Sequence, residues 1–183
     1  SFEKLYGADV NLGPEMKSTG EVLGVARTFD EAMIKAFYGA GTHMIKKGHV
    51  IITVKNSDKQ EVLPIARGLY ELGWTIYATA GTSTFLNDNG IPTIRTNKIG
   101  AGKPDILDVI LSGKIDLVIN TPSKGVSHNR DGYLIRRNAV EAGIPCLTSL
   151  DTANAFLTCA QHVETTQLSV IDITTVSSFL NFI

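Results

Sequence analysis

Polar residues suited to holding a phosphate recur at four places in this chain, each just after a strand-like stretch. Lys55-Asn56-Ser57-Asp58-Lys59 follows the first stretch and Thr79-Ala80-Gly81-Thr82-Ser83-Thr84 the second. Asn97-Lys98 follows the third, and Asn120-Thr121-Pro122-Ser123-Lys124 the fourth. A phosphate monoester asks for such groups. Gly81 lets the backbone approach closely, and a helix starting there offers free N–H groups and the positive end of its dipole. Thr79, Thr82 and Ser83 add hydroxyl donors. Lys59 and Lys98 supply about two positive charges against a dianion, through charge-assisted bonds about twice as strong as neutral ones. Asn120, Thr121 and Ser123 can bond a sugar or base. The same residue types also cap helices, and a lysine such as Lys59 is common on an ordinary surface, so the reading rests on all four loops converging. No Walker A pattern and no G-x-G-x-x-G after a strand is present, so an ATP or dinucleotide site is not expected.

Convergence needs a scaffold that sends several strand ends to one edge. An open parallel sheet does this, and its ligands bind outside the carboxyl ends of the strands. Strand-like and helix-like segments alternate here as such a sheet requires. Strands are expected at His49–Val54, Thr75–Thr79, Pro92–Arg95, Asp116–Asn120 and Cys146–Thr148. Helices are expected from Thr28 to about Gly39, from Ser57 to Gly73, after Gly81, and over Pro104–Leu111, Asp131–Ala142 and Asp151–Ala160. Ser57 and Gln60 have capping-box spacing. The fold class is therefore a three-layer, Rossmann-like α/β domain, with about five parallel strands and helices on both faces. Ser169–Ile173 is a possible edge strand.

Composition narrows the class. With 183 residues, 43% of them hydrophobic and 19% charged, the chain can build one soluble domain with its own core. A formal net charge of -1 argues against a nucleic-acid surface. No apolar run approaches the ~20 residues of a membrane span. Ser1-Phe2-Glu3-Lys4 lacks a signal-peptide pattern, and the missing initiator Met suggests a cut or processed chain. Cys146 and Cys159 fit neither metal nor disulfide spacing, which points to buried thiols in a reducing, cytoplasmic setting.

Three stretches, Tyr77–Thr82, Ile115–Thr121 and Tyr133–Ala139, resemble the methylglyoxal-synthase-like domain family, and within it the allosteric domain of carbamoyl-phosphate synthase large subunits. Gly13–Gly24 is similar to the closing segment of that enzyme's second ATP-grasp half. The resemblance implies a remnant of that half over residues 1–27, a linker helix over 28–47, the regulatory domain over 48–162 and a tail over 163–183. It implies UMP or IMP as effector, with Lys59, Thr79, Gly81, Thr82 and Lys98 on the phosphate and Asn120 and Thr121 on the ribose. Pro122 stands where the family pattern has a hydroxyl. Thr53 matches a position linked to signal relay. The fragment itself would need no cofactor. The parent would be a ligase using ATP with Mg2+ or Mn2+, partnered by a glutaminase small subunit, with further copies of itself as another partner the resemblance allows. N-acetylglutamate, the effector of urea-cycle relatives, is less well matched because of Asn97-Lys98.

Two other readings stand beside this one. Asp105, His128 and Asp131 resemble three catalytic residues of methylglyoxal synthases, which act on dihydroxyacetone phosphate. The histidine of that family's first loop falls near Lys55 here. Asp105 and Asp131 also suit helix starts, and His128 lies in a polar loop. The third reading is a pure oligomerisation module. Arg136 and Arg137 point about 100° apart on one helix, and are expected to pair at the surface or to contact another part of the assembly.

Overall fold

The computed structural model describes residues 22–43, 45–122 and 131–162. Ser123 and His128, the segment matched to the ATP-grasp half up to residue 21, and the possible edge strand Ser169–Ile173 lie outside the described residues.

A five-stranded parallel sheet runs in the order β3-β2-β1-β4-β5. Its strands are β1 (His49–Thr53), β2 (Thr75–Thr79), β3 (Ile94–Thr96), β4 (Leu117–Asn120) and β5 (Cys146–Leu147). The helices are α1 (Phe29–Gly39), α2 (Lys59–Glu71), α3 (Ala80–Asp88), α4 (Ile106–Leu111), α5 (Asp131–Glu141) and α6 (Leu150–His162). Strand alternation sorts the apolar residues into two layers. Val50, Ile52, Ile76, Leu117 and Ile119 pack against α1, α2, α3 and α6. Ile51 and Val118 pack on the other face with Ile106 and Ile110 of α4 and Ile135 and Ala139 of α5. β1 and β4 are central and buried on both faces, which explains why they read as unbroken apolar runs. Full burial of each such Ile contributes about 1.5–3 kcal/mol.

Helix ends follow local chemistry with one exception. Thr28 caps α1, accepting from the Glu31 amide at 3.3 Å. Gly73 takes φ of 88° just beyond α2, a conformation that favours glycine. The capping box expected at Ser57 does not form. Asn56–Asp58 makes a 3-10 turn, Asp58 is the N-cap of α2, and Ser57 Oγ donates to Asp58 Oδ1 at 2.8 Å. Pro64 sits inside α2, where it lacks the N–H that would complete the helical ladder.

The expected linker helix is built into the core. Ile34 and Phe37 of α1 are buried, and Phe37 meets Phe156 of α6 edge-on at 5.8 Å. Cys159 of α6 is also buried, and desolvation, with a smaller contribution from Asp30, pushes its thiol up to about 11. Cys146 is partly exposed. Among the described residues no helix is long and apolar enough to cross a membrane.

Candidate functional site

Register assembles a polar row at the carboxyl edge of the sheet. Thr79 pairs with Thr96 across β2 and β3, and Thr53 pairs with Asn120 across β1 and β4. Ile51 pairs with Tyr77, so Thr53 and Thr79 fall opposite each other two positions further on. Paired positions in a parallel sheet point to the same face, here the face that α4 and α5 cover. Thr96, Thr79, Thr53 and Asn120 thus form one line. Each is the last residue of its strand.

The helix ends above this line are set by the same loops. Thr79 occupies the N-cap position of α3 without making a side-chain capping bond. Lys59, the first residue of α2, reaches across to donate from Nζ to the Gly81 carbonyl at 2.8 Å, with the Phe85 ring centroid 5.9 Å away. A β-carbon on Gly81 would come within 3.7 Å of that ammonium, which is ordinary contact. Glycine there keeps the backbone open to a ligand without being sterically obligatory. Lys98 is exposed in the loop after β3. Thr82 and Ser83 are both buried in the first turn of α3. The Ser83 hydroxyl lies 2.8 Å from Thr93 Oγ1 and 3.4 Å from Asn87 Nδ2, so it ties α3 to the loop before β3.

Asn120 and Thr121 are buried and already bonded. Asn120 Nδ2 donates to Thr53 Oγ1 at 2.6 Å, and Arg136 Nη1 of α5 donates to Asn120 Oδ1 at 2.7 Å. Thr121 Oγ1 accepts from the Lys55 amide at 3.2 Å, which pins the loop after β1 to the end of β4. Asp58 joins this pin. Burial raises its carboxyl, but hydrogen bonds from Ser57 and Thr121 and the nearby Lys55 ammonium outweigh burial and hold it below the ordinary carboxylate range.

Arg136 and Arg137 are not surface residues. They are 4% and 8% exposed. Arg137 Nε donates to Glu141 Oε1 at 2.6 Å, one helical turn along. Arg136 directly follows Ile135 and precedes Ala139 by three, so it shares their inward stripe. That spacing was the available signal for its burial. Thr96 lay within the sequence without drawing notice. Its hydroxyl is buried and makes no hydrogen bond among the described residues.

Of the residues that resemble the methylglyoxal synthase set, Asp105 and Asp131 are among those described. Asp105 is the N-cap of α4, where Oδ1 accepts from the amides of Leu107 and Asp108 at 3.0 and 3.2 Å. Its Oδ2 lies 3.3 Å from Lys103 Nζ. Burial pushes this carboxyl up, yet the Asp108 amide, the Lys103 ammonium and the Leu107 amide together hold it below the usual range. A carboxylate so committed is a weak proton acceptor. Asp131 is exposed in the first turn of α5.

A cleft of about 460 Å³ opens at the other, amino edge of the sheet. The turns at Gly113 and Gly143 border it, with His43, Leu111, Asp116 and Pro145 among its walls. Asp116 there accepts the His49 amide at 2.8 Å and so serves the start of β1. None of the residues expected to bind a ligand lies in this cleft.

Residues 61–148 match the model of the MGS-like domain. The chain is 52% identical over 94% of its length to the carbamoyl phosphate synthase large chain of Lachnoclostridium phytofermentans, covering 16% of that protein. It is 49% identical over 97% of its length to the large chain of Agathobacter rectalis, covering 17% of it. It is also 49% identical, over 86% of its length, to that of Thermomicrobium roseum, covering 15%. The chain thus spans about one-sixth of the length of the curated relatives it matches. A solved structure described as the crystal structure of ForH superposes with a TM-score of 0.45 and 20% identity, over 63% of this chain and 80% of that one, a likeness too slight to bear on function. With about half the residues shared along nearly the whole chain, the protein carries an MGS-like domain and belongs with the region of carbamoyl phosphate synthase large chains that holds it.

Proposed function

We propose that this domain is regulatory: it binds a nucleoside monophosphate, UMP or IMP, at the carboxyl edge of its sheet and performs no chemistry on it. The observation that carries this reading is Lys59 reaching from α2 to the Gly81 carbonyl in the first turn of α3. It sets an ammonium beside a helix N-terminus, where amide donors and the dipole favour a phosphate. Thr79 and Thr82 stand at the same turn, and Lys98 adds a second positive charge from the loop after β3. Asn120 and Thr121 border the ribose side. Their present bonds mean that they contact a nucleotide only through donors and lone pairs left over from Thr53, Arg136, Lys55 and Asp58.

The parent polypeptide is proposed to be the ligase its relatives are named for, working in the cytoplasm. It would make carbamoyl phosphate for pyrimidine and arginine synthesis with a glutaminase small subunit, and bind ATP with Mg2+ or Mn2+ outside this chain. Regulation is then linkage. An effector that prefers one conformation of the assembly shifts the population toward it, with a coupling free energy typically of ~1–3 kcal/mol. Helix α1, packed on α6 of the domain core, is the proposed mechanical connection to the preceding part of the polypeptide. Asp105, held as a helix cap, gives the lyase alternative no support.

Titration calorimetry of the chain with UMP and with IMP tests the reading. Saturable heat with at least one of them is expected, weakened by Lys59→Ala and by Lys98→Ala. No heat with either nucleotide would contradict it.

A further inference from the structure

Arg136 is almost wholly buried, and its guanidinium is bonded to a residue of the proposed nucleotide edge. A guanidinium carries donors and no acceptor, so the Asn120 atom facing it must be the carbonyl oxygen. The amide has no freedom to flip. Its Nδ2 then faces β1, where it donates to Thr53 Oγ1 at 2.6 Å and lies 3.3 Å from the Thr53 carbonyl. A hydroxyl that accepts in this way keeps its own hydrogen to give. Among the described residues nothing accepts that hydrogen, although Thr53 is only 8% exposed. The two bonds run in one direction, guanidinium to amide oxygen and amide hydrogen to hydroxyl oxygen, and leave the hydroxyl hydrogen unspent. Such chains polarise each bond along them, and more strongly in a buried setting.

From this we infer that Arg136 is a positioning residue for the nucleotide edge: acting through Asn120, it fixes the Thr53 hydroxyl as a hydrogen-bond donor toward the ligand. The ligand group recognised there is an oxygen that accepts, from the phosphate or the ribose. This rests on the nucleotide reading above and deepens it. Thr53 stands in the polar row between Thr79 and Asn120, so its donor adds to those of Lys59 and the α3 amides. Gly132 fits the arrangement. A β-carbon there would lie 3.2 Å from Arg136 Nη1 and 3.6 Å from Asn120 Oδ1, crowding the contact that starts the chain.

Calorimetry with UMP on the 183-residue chain, Arg136→Met, Thr53→Val and the double variant tests the inference. Each single change is expected to weaken binding about tenfold, and the double variant to be no weaker than either, because both break one chain. Arg136→Lys, which restores a single donor, is expected to recover part of the loss. Equal binding by folded Arg136→Met and the unaltered chain would overturn the inference, as would losses that multiply in the double variant. A second readout needs no nucleotide. The Asn120 side-chain amide protons should exchange slowly with solvent in the unaltered chain and quickly in Arg136→Met. Fast exchange in the unaltered chain would overturn the positioning role. Slow exchange with heat from neither UMP nor IMP would instead uphold the positioning role and sink the nucleotide reading. If Arg136→Met does not fold, Thr53→Val decides alone: unchanged UMP affinity overturns the inference.

Discussion

The two edges of this sheet differ in kind. The amino edge has a cleft of about 460 Å³, left where tight turns end α4 and α5. The carboxyl edge has donors: Lys59, the first turn of α3, and a row of side chains closing β3, β2, β1 and β4 in register. Space alone recognises nothing, because specificity comes from a few placed polar groups. The amino edge offers one notable carboxylate, Asp116, and that group already holds the start of β1. The carboxyl edge is where a parallel sheet converges loops from several strands, so recognition is expected there even though a cleft opens opposite.

Substitutions at the two edges test this contrast. The largest effect is expected from Lys59→Ala. Loss of one charge-assisted bond to a phosphate costs about 1.5–3 kcal/mol, roughly ten- to a hundredfold in UMP affinity by calorimetry. Asn120→Ala comes next. It removes the buried oxygen that accepts from Arg136 and the amide that donates to Thr53, and should lower unfolding free energy by about 1–3 kcal/mol in urea titrations, besides weakening UMP. Acidification follows. Asp58 and Asp105 are held below the ordinary carboxylate range by their partners. Their stabilising contribution is therefore complete above about pH 4 and is lost as pH falls through the depressed folded values. In Asp105→Asn the urea midpoint should drop at neutral pH, and the gap between neutral and acid midpoints should narrow. The smallest effect is expected at the amino edge. Leu111 is 64% exposed, and Leu111→Gln should leave stability within about 0.5 kcal/mol and UMP affinity unchanged. A large loss of UMP binding there would reverse the comparison.

Much of the fold was legible because periodicity and burial coincide. The unbroken runs of β1 and β4 and the apolar spacing of α2 lead directly to the observed elements. Thr79 and Asn120 were legible as strand ends because each closes a strand-like run, whereas Thr96 gave no such signal. What was hidden were choices made by tertiary partners. Ser57 and Gln60 have the right spacing for a capping box, but Asp58 takes the cap position and Ser57 bonds to it instead. Arg136 reads as a surface charge until Asn120, sixteen residues away in the chain, supplies a buried acceptor. Ser83 reads as a phosphate donor until Thr93 is brought beside it. No local rule sees such pairs, because the partners meet only when strands and helices pack.

Chemical-shift mapping of the isotope-labelled chain during a UMP titration compares the two edges directly. Shifts concentrated at Lys59, Gly81, Thr82, Lys98 and Asn120, with the turns at Gly113 and Gly143 unmoved, are the expected result. Shifts centred on Gly113, Gly143 and Asp116 instead would contradict recognition at the carboxyl edge.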